Sequence, residues 1–170
     1  GVALADYVKY SGDTATGRDL WPVVKRQVEV AREALDPAGI YDNALKPSWL
    51  VFDWKSDLNR DASIQGLMTF AVDRSYELAR MLGTEKEVSD WPKLTARMKS
   101  AARNAYYDRK SGLVLSGPDK QASYLSQVWM VLSGTLSAKE GARALSAIME
   151  SPDACRIGSP YAYSYSAGRV

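Results

Sequence analysis

Apolar residues recur at three- and four-residue intervals through most of this chain, and that period admits little besides packed helices. Ile64, Leu67, Met68, Ala71, Val72, Leu78, Ala79 and Leu82 form one stripe; Leu94, Met98, Ala101, Ala102 and Ala105 a second. Leu125, Val128, Trp129 and Leu132 form a third, and Ala142, Leu145, Ile148 and Met149 a fourth. Val23, Val24, Val28, Ala31 and Leu35 continue the pattern upstream, and Val2, Leu4, Ala5 and Val8 read as the end of a helix already under way. Strand-like pieces are confined to Ile40-Tyr41, Trp49 to Phe52 and Leu113 to Leu115. The expected class is all-α with short extended links.

The stripes repeat as units. Gly12-Asp13 leads to Trp21-Pro22, a helix and Asp36-Pro37-Ala38-Gly39-Ile40; Gly83-Thr84 leads to Trp91-Pro92, a helix and Asp108-Arg109-Lys110-Ser111-Gly112-Leu113. The two Trp-Pro pairs lie 70 residues apart, and a fainter third copy starts at Gly134-Thr135. Each unit reads as an αα-hairpin that must stack on neighbours to bury its second face. The Trp-Pro pairs are expected to be packing anchors, with proline in a first helical turn or at a kink. Helix starts are expected at Asp13, near Ser56-Asp57, at Thr84 (a capping box to Glu87) and at Ser137 (a capping box to Glu140).

Residue usage narrows the chemistry. There is no histidine, so histidine triads and histidine-held metals are excluded within these 170 residues. The single cysteine, Cys155, can form no internal disulfide and is read as a small buried residue. No metal site or cofactor is expected, and any chemistry falls to carboxylates, tyrosines or lysines. With 22 Lys and Arg scattered against 20 Asp and Glu, no basic stripe marks nucleic acid as a partner. No apolar run approaches the ~20 residues that cross a bilayer, so no membrane span is expected.

Three stretches are candidates for a site. In "PSWLVFDWKSDLNRDASIQG", residues 47–66, Asp53, Asp57 and Asp61 recur every four residues beside Trp49 and Trp54. A helix beginning near Ser56 would put Asp57 and Asp61 on one face. Paired carboxylates suit glycosidic acid–base work and indole rings suit the apolar faces of sugars, but first-turn acids are equally explained by the helix dipole. In "QASYLSQVW", residues 121–129, Tyr124 and Gln127 could face the same mouth, or the helix could be an ordinary amphipathic one with Trp129 in the core. In "SPYAYSYS", residues 159–166, Tyr161 could stack on a sugar, while Ser159-Pro160 also fits a helix start.

The run "WLVFDWKSDLNRDASIQGLMTFAVDRSYELARMLG" resembles the segment of glycoside hydrolase family 78 α-L-rhamnosidases in which a Phe-x-Asp-Trp loop precedes an inner barrel helix. The preceding "YVKYSGDTATGRDLWPVVKRQVEVAREALDPAGIY" is similar to that family's Tyr-x-x-Tyr-x-Gly-Asp helix turn and returning helix, "ASYLSQVWMVLSGTLSAKEGARAL" to the next hairpin, and "SPYAYSYS" to the start of the one after. The resemblance implies part of an (α/α)6 barrel. Residues 1–170 would then form a single partial domain of about three αα-hairpins, a piece of a longer polypeptide.

It also implies an inverting glycosidase with rhamnosides as substrates. The family's acid-bearing and base-bearing motifs are not among these residues, so no catalytic residue is carried onto this chain. Asp53 and Trp54 match the loop and are expected to line the sugar pocket, with Trp49, Gln127 and Tyr161 as further contacts. The expected partners are a carbohydrate and the rest of the catalytic domain, with self-association through open hairpin faces. Other six-hairpin enzymes, such as uronide hydrolases or trehalase-like glucosidases, share the same rhythm. A helical-repeat interaction module is the alternative outside catalysis.

Overall fold

The structure, a computed structural model, describes residues 1–45, 47, 52–160 and 162–163. Six helices form three antiparallel hairpins: α1 (Val2–Ser11) with α2 (Thr14–Glu33), α3 (Asp61–Leu82) with α4 (Trp91–Tyr106), and α5 (Tyr124–Leu132) with α6 (Ala138–Met149). A two-stranded antiparallel ribbon, β1 (Leu115–Ser116) and β2 (Gln121–Ala122), precedes α5. This is the expected all-α stack.

α1, α3 and α5 lie side by side as an inner row. Their pairings all advance in the same direction: Asp6 to Arg74, Lys9 to Glu77 and Ser63 to Ser126. They therefore run parallel. α3 and α5 come closest at Gly66, where an added Cβ would stand 2.8 Å from the backbone of Trp129. α2, α4 and α6 form the outer row. Trp21 of α2 and Trp91 of α4 meet with ring centroids 5.6 Å apart, and the Trp21 indole donates to Glu87 at 3.2 Å. The two Trp-Pro pairs are thus packing anchors, as their chemistry suggested.

Three buried clusters fill the stack. The largest joins Ala5, Val8, Trp21, Val28, Val72, Leu78, Leu82 and Met98. A second gathers Phe52, Leu58, Ile64, Phe70, Leu125, Trp129 and Cys155 at the start of α3. A third joins Ala102, Val114, Met130, Leu136 and Ala144 beneath α6.

Of the four expected helix starts, two are capped as expected, one opens a short 3-10 turn (Glu85–Val88) behind Thr84 without its box, and one moves. Asp13 accepts from the Thr16 amide at 3.1 Å, and Ser137 with Glu140 completes a reciprocal capping box. The start expected near Ser56 moves to Asp61. Gln121 of β2 takes the Asn59 amide and donates to the Asp57 carbonyl, both at 2.8 Å, which draws residues 57–59 out of helical geometry. Asp57 and Asp61 therefore do not share a helix face. The box expected at Thr84 does not form. Thr84 instead ends α3, its amide donating to the Ala79 carbonyl at 2.8 Å, and Glu87 turns to Trp21 and Lys25. Of the two prolines, Pro22 lies in the interior of α2 and Pro92 in the first turn of α4.

The repeat proves to be a repeated polar device. After α2, the Asp36 carboxylate accepts from the amides of Gly39 and Ile40 at 2.8 Å, and Tyr41 bridges back to Leu35. After α4, the Asp108 carboxylate accepts from Lys110 and Ser111, and Val114 bridges back to Tyr107. Gly39 and Gly112 take positive φ, 98° and 80°. Each turn is closed by an arginine of the next outer helix. Arg97 donates to the Asp36 and Pro37 carbonyls, Arg143 to those of Arg109 and Lys110. Each extended link is held by a buried glutamine of the next inner helix: Gln65 accepts from Tyr41 at 2.7 Å, Gln127 from Val114 at 2.8 Å. Two successive units are keyed together by the same four residue types.

Candidate functional site

The loop before α3, the β1–β2 ribbon before α5 and the segment around residues 155–159 meet at the N-terminal ends of α3 and α5. Along the loop two buried side chains are followed by an outward-facing run and then a second buried anchor. Phe52 is buried against Trp129, ring centroids 6.4 Å apart; Asp53 is buried; Trp54 is 67% exposed; Leu58 is buried again. The two apolar anchors fasten the loop to the core, and the residues between them are turned outward or spent on the backbone.

Asp53 belongs to the second kind. One carboxylate oxygen accepts from the Trp54 amide at 2.6 Å and the other from the Gly158 amide at 3.0 Å. The close approach depends on Gly158, where a Cβ would stand 2.9 Å from the Lys55 backbone nitrogen and 3.0 Å from Asp53. Asp53 thus ties the Trp54 loop to the 155–159 segment across 105 residues of sequence. Each oxygen retains a second acceptor position.

Beside this loop is a polar recess of about 280 Å³ lined by Ser56, Asp57, Leu58, Asn59, Ser116, Asp119 and Gln121. Lys55 pairs with Asp57 at 3.4 Å. Ser116, fully buried, donates to Asn59 and accepts from the Ala62 amide at 3.0 Å, so the ribbon helps to start α3. Lys120 turns the ribbon at a φ of 54°. Asp61, the first residue of α3, is exposed, and its amide donates to Asn59 at 3.2 Å. Burial, reinforced by the negative charges of Asp61 and Asp36, pushes the Tyr106 phenol up to about 12, so Tyr106 stays a protonated donor.

The other sequence candidates divide. Trp49 and Tyr161 lie outside the described residues. Gln127 is corrected: it is fully buried, its amide nitrogen donating to the Val114 and Ser123 carbonyls while its oxygen takes the Val114 amide. Those bonds hold the link before β1 and leave no face toward a ligand. Gln65, not singled out from the sequence, is the counterpart of Gln127: a glutamine lies in the first two turns of both α3 and α5. Cys155 is buried, and burial with the nearby Asp57 charge pushes its thiol up, away from the thiolate. Among the described residues no group of three or more His, Cys, Asp or Glu is placed to hold a metal ion, and no helix is long and apolar enough to cross a membrane.

No protein-family model matches the chain, and no curated protein matches it. Solved structures do. A rhamnosidase from Klebsiella oxytoca with rhamnose bound superposes with a TM-score of 0.85 and 32% identity, over 95% of this chain and 31% of that one. A family 78 rhamnosidase of Bacillus sp. GL1 superposes with a TM-score of 0.83 over 96% of this chain and 18% of its own, at 19% identity, a likeness of fold. This chain spans under a third of the length of the first and under a fifth of the second. Over nearly its whole length the chain is thus similar in fold to a stretch of two rhamnosidases, one of them of glycoside hydrolase family 78, and in sequence to a stretch of the first, in keeping with the loop–helix pattern from Phe52 onward.

Proposed function

We propose that this segment forms part of the sugar-pocket wall of an inverting α-L-rhamnosidase whose acid and base lie elsewhere in the polypeptide. The observation that carries the reading is the 32% identity, over 95% of this chain, to a rhamnosidase with rhamnose bound. In this reading Trp54 offers its exposed indole to the apolar face of the sugar. Asp53 holds that ring in place and takes a sugar hydroxyl on its remaining acceptor positions. The polar recess beside the loop supplies further hydroxyl partners. In an inverting reaction one carboxylic acid protonates the leaving oxygen while a carboxylate activates water on the opposite face. This segment contributes neither, only the wall that orients the ring between them.

An exposed apolar groove of about 650 Å³ between α2 and α3, lined by Val23, Val28, Ala31, Met68 and Val72, supports contact with the rest of the domain. In the whole protein, hydrolysis of an aryl α-L-rhamnoside is expected to release β-L-rhamnose first, as followed by proton NMR. Trp54→Ala should lower kcat/KM by about tenfold, roughly 1.4 kcal/mol of lost transition-state binding, without lowering Tm. The 170-residue chain alone should not turn over. Cleavage by that chain at a rate abolished by Asp53→Asn would overturn the assignment.

A further inference from the structure

A further cavity, of about 270 Å³, lies on the outer row between the end of α4 and the start of α6, lined by Arg103, Tyr107, Arg109, Lys139, Glu140 and Arg143. Its lining holds four cations and one carboxylate. That carboxylate is already engaged: Arg103 grips both Glu140 oxygens, and the Ser137 amide and hydroxyl add 3.0 and 2.7 Å bonds. The neighbouring Asp108 is spent on the Lys110 and Ser111 amides and the Ser111 hydroxyl. With Glu140 paired to Arg103, the lining carries a net positive charge of three, from Arg109, Lys139 and Arg143.

Two of those cations are held in place by the fold. Arg143 lies on the Asp108–Gly112 turn, donating to the Lys110 carbonyl at 2.8 Å, in space that a Cβ on Gly112 would fill. The bonds of Asp108 fix the turn that carries Arg109. The first copy of the turn shows which parts the device itself requires. It keeps the aspartate, the glycine and the closing arginine (Asp36, Gly39 and Arg97), but carries Pro37-Ala38 where the second carries Arg109-Lys110. Of the two, Arg109 lines the cavity, and it serves no requirement of the turn. Like charges gathered around one recess repel each other, and an anion between them turns that cost into attraction.

We propose that this cavity binds a doubly charged tetrahedral oxyanion, a phosphate or sulfate group, free or carried as an ester on a sugar. Arginine forks match such oxygens in pairs, and the lysine adds a point charge. Calorimetric titration of the 170-residue chain with sodium phosphate, at ionic strength held constant with sodium chloride, is expected to give saturable one-to-one binding. Affinity should fall about tenfold in Arg109→Gln/Lys139→Gln, both exposed positions, and stay unchanged in Lys93→Gln, an exposed cation of the first unit. No binding, binding that survives the double substitution, or an equal loss in Lys93→Gln would overturn the proposal. Glucose 6-phosphate binding more tightly than phosphate assigns the site to a phosphorylated sugar, and equal or weaker binding assigns it to the free oxyanion.

Discussion

Gln127 shows how a residue suited to ligand contact can be consumed by the backbone. Two of its three hydrogen bonds satisfy Val114, in a link that has no full sheet partner, the third goes to the Ser123 carbonyl, and a buried amide left unpaired costs about 1–3 kcal/mol. Gln127→Leu is therefore expected to lower stability by about 2 kcal/mol, read as a reduced urea midpoint with m unchanged. Gln65→Leu should do the same to the first unit, because Gln65 holds Tyr41, Gly39 and Met98 in the same manner. Gly66 makes the complementary point about space. An added methyl group meets Trp129 main chain, which cannot swing aside, so Gly66→Ala should destabilise by about 1–3 kcal/mol in the same measurement even though alanine favours helix.

At the level of elements, the capping box of α6 joins local to tertiary structure. Hydrogen bonding from Arg103, followed by that from Ser137, holds the Glu140 carboxyl below the usual carboxylate range, so the folded state binds this proton less readily than the unfolded chain. The resulting stability is present above the ordinary value of 4.5 and is lost as pH falls below it. Glu140→Gln, which keeps the cap's geometry and removes the charge, should flatten the fall in Tm below that pH. The Ser137 box was legible because its partners lie three residues apart. The Thr84 box had the same spacing and failed, because Thr84 was already needed to end α3. Likewise α3 starts at Asp61 through Gln121 and Ser116, both more than 50 positions away. Local signals placed six helices and their repeat; the shifted start of α3 comes from bonds that reach across the fold, and the missing box at Thr84 from its bonds back to Ala79. The Asp53-Trp54 loop was visible as a motif, but which of its side chains faces outward was set by Phe52 and Leu58 seeking the core.

For the molecule as a whole, the open stack leaves Val23 and Leu20 of α2, Tyr7 and Tyr10 of α1 and Met149 of α6 exposed. Together with the groove between α2 and α3, these surfaces are expected to drive self-association of the isolated chain, visible as a concentration-dependent mass in sedimentation equilibrium. A monodisperse monomer at all concentrations would count against that expectation. The Asp–Gly–Arg–Gln device bears on how the stack yields. It ties each turn to the hairpin that follows, so each of the two joints is a separate polar clasp beside the apolar clusters. Stretched from its two ends, such a chain should part clasp by clasp, giving a sawtooth of successive ruptures with roughly 3.5 Å of length gained for each residue freed.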